Sequence, residues 1–510
     1  MVFFLFFLGD LGGDVLMGYF WTVHQVLKPI LGPSSSHSSA PFVMGYIFHN
    51  YLIKLGFEPT MDSLEKNLRV TILCPNPSRA MYSFIGHRSI RALIFGLLGG
   101  YFSSDRRRIF SNVKCSLEKK KEYDLIHTFE TTFNALEAED VAYKLEVSYG
   151  DRTKVLFDSV GGGIIGLRID NADIEGIITS LFPESIPLWI YLSYDILERL
   201  ESKLPFTKKD VASGKKFFDN ADEIIPKEIK DETVGAYVAR RENNIVEESR
   251  RIMEELWEIM YESTSRPPDN LRYSKFLKYE ISKEMFSGND MVSKVLRYTM
   301  NVAVRNAEMH IIVSAPTGGA SSIFPATLRG AMEEFGIKQE EIINGLYVGG
   351  LIGGFVGNNM SVSGSLHGCQ AEIGVSLAMA ASAMVDMLAD TSNIERRVRM
   401  VFDAASIALQ SIQGLACDPL MGFVEVPCVL RNLAFIGMPF VIAKMVSSGY
   451  RPVITLRTAI RALKKTGELL NKALRESGTG PLTCMYILAK MEEKGIEEEL
   501  ISLFEREIYW

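Results

Sequence analysis

Between Tyr19 and about Leu200, apolar residues alternate in some stretches and recur at helical spacing in others. RVTILC (69–74) and YKLEVSYG (143–150) read as strands, and HRSIRALIFGLLGG (87–100) reads as a helix that stops at glycines. From Glu201 to Asp231 the composition shifts to Lys, Asp and Glu around Pro205 and Pro226, the signature of a linker or peripheral subdomain. After Thr233 the strand signal nearly vanishes. NIVEESRRIMEELWEIM (244–260) and TAIRALKKTGELLNKALRES (458–477) space their apolar residues by three and four, as amphipathic helices do. The pattern predicts an α+β domain over 17–200, a connecting segment over 201–231 and an all-α domain over 232–510. The apolar stretch from Ile343 to Leu388 is interrupted by Asn358, Asn359, His367, Glu372 and Asp386, so it predicts buried helices and not a membrane span. No internal repeat of fixed period is visible.

Composition narrows the function classes. The 510 residues are 47% hydrophobic and 23% charged, enough to bury a large core and unlike a disordered chain. Fifty-five Lys and Arg against 62 Asp and Glu give a net charge of −7, which argues against nucleic acid or an anionic membrane as partner. A small-molecule substrate is expected. Six cysteines are too few and too unevenly placed for a disulfide scaffold, so the reading is a reducing cytoplasm. The start, MVFFLFFLGDLGGDVLM, lacks a leading Lys or Arg and carries Asp10 and Asp14, a poor signal peptide. Its apolar run is far shorter than the roughly 18 residues of a bilayer span. Residues 1–16 read as a dispensable extension ahead of a second start at Met17.

Candidate chemistry lies first with cysteine. Cys369 in HGCQAEIG and Cys417 and Cys428 in ACDPLMGFVEVPCVLRN each sit beside Gly, Pro or Asp, outside any continuous apolar run. Three such thiolates suit zinc or an iron–sulfur cluster; equally, buried cysteines can serve simply as small hydrophobes. GPSSSHSSAP (32–41) sets His37 among Ser34, Ser35, Ser36, Ser38 and Ser39. A histidine can take a proton near neutral pH while hydroxyls and loop N–H groups bind a carboxylate. Such a string can also be a polar linker. APTGGASSIFP (315–325) and SVGGG (159–163) are weak signals alone, because glycines allow close backbone approach to a ligand but also make ordinary turns.

Taken in order along the chain, these segments resemble the iron–sulfur-dependent L-serine dehydratases, which make pyruvate and ammonia from L-serine without pyridoxal phosphate. ILGPSSSHSSAP is similar to that family's IGPSSSHT, IGHRSIRALIFGLLG to its GHGTDRA helix and FDSVGGG to its YSVGGG. Further on, SAPTGGASSIFPA is similar to APTNGAAGIIPA, and SVSGSLHGCQAEIGVSLAMAASA to SGAEGGCQAEIG. The most specific likeness is GLACDPLMGFVEVPCVLRN beside GLVCDPVAGLVEVPCIERN, with identical cysteine spacing, and KALRESGTGPLT resembles ALRETALGGLA. The resemblance spans about Ile30 to Leu482 and corresponds to fused β-like and α-like halves.

The resemblance implies that Cys369, Cys417 and Cys428 ligate a [4Fe–4S] cluster with one open iron acting as Lewis acid, and that His37 is the catalytic base. Ser34, Ser35, Ser36, Ser38, Asn306 and Thr317 are the candidate substrate contacts. The expected activity is that of an L-serine ammonia-lyase, cytoplasmic and homodimeric. The chain departs from the family pattern at Ser89 and Ile90, where the family has Thr and Asp, which takes an acidic neighbour from His87. It departs again at Leu366 and His367, beside Cys369. Three alternatives stay open: L-cysteine desulfidation at the same site, a non-catalytic iron–sulfur sensor, and a pyridoxal-phosphate lyase, which the lack of a lysine in the matched cluster and loop motifs weakens. Glu425 could meet the substrate ammonium or make a structural hydrogen bond. Cys74 and Cys115 lie outside the matched segments and read as core or surface thiols.

Overall fold

The alternation at 68–74 and 143–149 produces two antiparallel neighbours, Leu68–Cys74 and Tyr143–Tyr149, in register Val70 to Val147 and Ile72 to Leu145. The computed structural model describes residues 4–6, 20, 22–74, 77–102, 109–110, 121–135, 143–150, 153–161, 164–168, 190–193, 208–246, 248–269, 271–277, 286–389 and 393–494. These two strands lie in a seven-stranded mixed sheet ordered Phe4–Phe6, Ile190–Ser193, Ile164–Arg168, Thr153–Gly161, Tyr143–Tyr149, Leu68–Cys74, Thr131–Ala135. Because successive side chains alternate faces, Leu68, Val70, Ile72, Leu145, Val147, Val155 and Phe157 all fall on one buried face. The edge strand Phe4–Phe6 lies inside the stretch read as a dispensable extension. Gly162, Gly163 and Cys115 lie outside the described residues.

The predicted helix at 87–100 forms as Ser89–Leu97, entered through Arg88 in the left-handed region and left through Gly99 at φ 82°. The rest of the described chain is mainly helical. At its centre runs Cys369–Leu388, built from Ala, Ser, Gly and aliphatic residues and buried on every side. This helix and the run Cys428–Ser447 are long and apolar enough to cross a membrane; 83% of the apolar window of the first is buried inside the protein, as in a core helix. Two of the polar interruptions of this apolar region, Asn358 and Asp386, are held by hydrogen bonds. Asn358 accepts from the Phe20 N–H at 2.6 Å and donates to its carbonyl at 2.8 Å. Asp386 accepts from the N–H groups of Val234 and Gly235 at 3.1 and 2.8 Å, capping the helix Val234–Asn243.

Three features add to the sequence expectation or refine it. Within the segment 201–231, read as a linker or peripheral subdomain, Lys208–Asp219 and Ala221–Glu228 are helices, and the buried Phe218 packs at Gly354 of the helix Gln339–Asn359. The helical half also contains a strand, Ile311–Val313, so all-α describes it only coarsely. Its partner, antiparallel, is Pro29–Leu31 from the start of the chain. Just before that strand, Phe20, Val23 and Val26 fill the groove left by the glycine stripe Gly357, Gly350 and Gly353, where a Cβ would come within 2.2 to 2.6 Å of them. The N-terminal segment thus packs into the helical half and delivers residues 32–39 to its edge.

Candidate functional site

Three thiols meet in one buried cavity. Cys369 begins the helix Cys369–Leu388, and Cys428 begins Cys428–Phe435 after Pro427. Each thiol therefore lies at the positive end of a helix, which favours thiolate. Cys417 sits in extended backbone bridged to Arg475, its carbonyl accepting from the Glu476 N–H at 2.7 Å. All three cysteines line the cavity together with Ser34, His87, Glu372 and Glu476. A hydrogen bond from Cys417 holds the Cys369 thiol below its usual range against burial, and Arg431 adds attraction. Cys417 moves up for the reciprocal reason and through burial, while burial and the Cys369 charge push Cys428 up. A methyl group at Gly364 would lie 2.7 Å from Glu372 Oε2 and 3.0 Å from Cys417 Sγ, so glycine lets that backbone pass close to both side chains.

The serine-rich string is a buried π-helical turn, Ser35–Ser39, running directly into the helix Ala40–Lys54. Its hydroxyls hold the turn together. Ser34 Oγ accepts from the His37 N–H at 3.2 Å, and Ser38 Oγ accepts from the Ser34 N–H and donates to the His87 carbonyl at 2.7 Å. Ser36 Oγ stands 3.1 Å from His37 Nδ1, and its carbonyl accepts from the Tyr143 hydroxyl at 2.6 Å. Of the serines proposed as substrate contacts, Ser34 lines the cavity, Ser36 and Ser38 have internal partners, and Ser35 is buried. Asn306 donates to the Pro33 carbonyl at 2.9 Å and so supports the turn. Thr317 is buried next to Glu372, and its hydroxyl interacts with that carboxyl.

The rings of His37 and His87 lie 4.8 Å apart between centroids, tilted by 31°. His87 Nδ1 is 2.6 Å from the Ser83 carbonyl and so carries a proton, while Nε2 is 2.9 Å from Glu476 Oε1. The acidic neighbour missing from the local motif is thus supplied 389 positions away, while Ile90, at the family's Asp position, is core. The donor atoms of His37, His87 and Glu476 all lie within 4.8 Å of one another. Burial opposes ionisation of Glu476, but the hydrogen bond and charge of His87 and the nearby His37 outweigh it and hold the carboxyl below its usual range. Burial, partly offset by Glu476 and reinforced by His87, lowers His37 to about 4, so at neutral pH its ring is uncharged.

Glu425 is structural. It accepts from the N–H groups of Lys275, Phe276 and Leu277 at 2.7 to 3.0 Å and pairs with Arg88 at 3.2 Å, both side chains fully or nearly buried. Arg88 also donates to the Ala307 carbonyl at 2.8 Å, and through Glu425 it ties the turn that bears His87 to the loop between Cys417 and Cys428. Replacing Arg88 with Met leaves a buried carboxylate short of its counter-charge and is expected to cost about 3–5 kcal/mol. Denaturant unfolding measures this, and a loss below about 1 kcal/mol, the scale of an exposed pair, would contradict it.

Sequence reasoning missed Glu372, Arg431 and Glu476. Glu372 and Arg431 each follow a cysteine by three residues on a helix, a spacing that puts them on the cysteine's own face. Glu476 stood in the ALRES segment with no local feature to mark it.

The model of the serine dehydratase alpha chain family matches residues 136–483. The chain is 33% identical over 248 residues to the L-serine dehydratase alpha chain of Peptoniphilus asaccharolyticus, covering 46% of this chain and 82% of that one. It is 26% identical over 495 residues to the L-serine dehydratase of Helicobacter pylori strain J99, covering 91% and 98% of the two chains. A probable L-serine dehydratase alpha chain of Bacillus subtilis is 36% identical over 189 residues, a match spanning 37% of this chain and 61% of that protein's length. With a family match over most of its length and a relative that it covers by more than two thirds, the chain belongs to the serine dehydratase alpha chain family.

Proposed function

We propose that the chain is an L-serine ammonia-lyase, converting L-serine to pyruvate and ammonia with a [4Fe–4S] cluster held by Cys369, Cys417 and Cys428. The observation that carries this reading is one buried cavity with three thiols on its wall and a His–His–Glu array at its edge. Relatives named L-serine dehydratase support the reaction class. The donor set fits such a cluster: three convergent sulfurs, two of them at helix N-termini, with the Arg431 guanidinium drawn to them. Cys484, by contrast, is hydrogen-bonded to the Thr479 carbonyl at 3.5 Å. A cluster with three protein ligands supplies Lewis acidity toward a leaving hydroxyl.

The side chains supply the rest. His37, uncharged in its buried setting, takes the α-proton. Ser36 Oγ fixes the orientation of its ring, and Ser34 and backbone N–H groups of the turn hold the substrate carboxylate, stabilising negative charge as it develops at Cα. The electrons of the Cα–H bond form the Cα=Cβ bond as Cβ–O breaks, and the hydroxide leaves as water once protonated. The His87–Glu476 pair, close to His37, can exchange the proton between the two rings. The enamine then tautomerises to the imine, and water hydrolyses it to pyruvate and ammonium. All five described cysteines are free thiols, in keeping with the reducing cytoplasm proposed for the chain.

Aeration is expected to remove activity from anaerobically prepared protein, and ferrous iron with thiol to restore it, since a cluster with an exposed iron loses that iron on oxidation. The measurement is pyruvate formation from L-serine before aeration, after aeration and after reconstitution. Activity that survives prolonged aeration and chelation would rule out the iron-dependent reading.

A further inference from the structure

The mechanism above leaves one buried acid in the cavity wall unused. Glu372 is 9% exposed, lines the cavity and stands with its Oε2 3.9 Å from Cys369 Sγ. No Lys, Arg or His lies within ion-pair distance of it among the described residues. Arg431 attracts it only from farther off and is itself bound to the Ala416 carbonyl at 2.7 Å. The other carboxylate of the cavity, Glu476, is already committed to His87 at 2.9 Å. Beside Glu372, the buried Thr317 hydroxyl interacts with that carboxyl and has no other partner among the described residues. Across from it, Gly319 presents a backbone without side chain, where a Cβ would stand 3.6 and 3.7 Å from the two carboxylate oxygens.

A buried acid without a counter-charge, beside a hydroxyl whose one partner is that acid, is a site built for a cation with several N–H donors. An α-amino acid brings one. Its ammonium must shed water to enter so enclosed a cavity, and Glu372 with Thr317 can replace that water by charge-assisted hydrogen bonds. Resting on the function proposed above, we infer that Glu372 binds the α-ammonium of the substrate and makes the site select amino acids over hydroxy acids that lack the amino group. Thr317, a candidate contact from the sequence, supplies a second acceptor to the same ammonium.

The test uses anaerobically reconstituted full-length protein and its Glu372→Gln and Glu372→Asp variants. It reads iron content, kcat and KM for L-serine, and inhibition by 3-hydroxypropanoate, which is L-serine without its ammonium. The expected result is wild-type iron in the Gln variant with KM for L-serine raised about 10- to 100-fold, the scale of one lost charge-assisted hydrogen bond. Its inhibition constant for 3-hydroxypropanoate should stay within about threefold of wild type, and Asp should restore part of the affinity for serine. Unchanged KM in the Gln variant would overturn the assignment, as would a parallel rise in both constants or a loss of iron marking Glu372 as a cluster ligand. Wild-type protein that binds iron yet makes no pyruvate from L-serine would overturn the function proposed above and this assignment with it.

Discussion

Alanine at Cys369, Cys417 or Cys428 is expected to abolish pyruvate formation and to empty the protein of iron, from about four atoms per chain to none. The reason is positional. The three sulfurs face one cavity, two at helix N-termini and the third in backbone clamped by the Leu474 carbonyl at 2.8 Å and the Glu476 N–H at 2.7 Å. No other described thiol is placed to replace one of them. Cys74 is in the sheet, and Cys484 faces the Thr479 carbonyl from the helix Pro481–Glu493. Cys74→Ala and Cys484→Ala are therefore expected to keep their iron, and Cys115→Ala, outside the matched segments, is expected to do the same. Iron analysis and the visible spectrum of each variant check the assignment, and wild-type cluster content in Cys417→Ala would contradict it.

Alanine at His37 is expected to keep the cluster and its spectrum while lowering turnover by about 10² to 10⁴, the usual contribution of a general base. Exchange of the α-hydrogen of serine with solvent deuterium should stop as well. His37 suits the role because burial keeps its ring neutral and Ser36 orients it. His87 has both ring nitrogens engaged, by the Ser83 carbonyl and by Glu476, and is better placed to pass a proton on. His87→Ala is accordingly expected to lose turnover but retain some exchange. Yet His87 itself lines the cavity, so the comparison is a real one: normal exchange in the His37 variant with loss in the His87 variant would reverse the two roles.

Local periodicity made much of this fold legible. The strands at 68–74 and 143–149 and the helices near 90, 250 and 460 follow directly from how apolar residues repeat along the chain. Segments whose environment is set by distant partners were not legible. The serine string looks solvated by composition, yet Ser34 to Ser39 are all buried because their hydroxyls satisfy one another and the turn around His87. The helices at 208–228 look like a charged connector because only one face, through Phe217, Phe218, Ala221 and Ile225, meets the core. In the site, the cysteines announced themselves through their Gly, Pro and Asp neighbours, whereas the acid for His87 could not be found locally. Replacing an Asp by Ile90 looked like a loss; the fold returns the charge through Glu476, and nothing in a linear pattern links positions 389 residues apart.

The proposed chemistry requires three thiolates to hold an iron–sulfur cluster which, with the buried histidines, dehydrates L-serine. Anaerobic purification followed by iron and sulfide analysis and a pyruvate assay on L-serine tests it most directly. About four irons and four sulfides per chain are expected in protein that forms pyruvate, with activity proportional to cluster content. Full activity in protein free of iron, or in a form carrying only zinc, would contradict it.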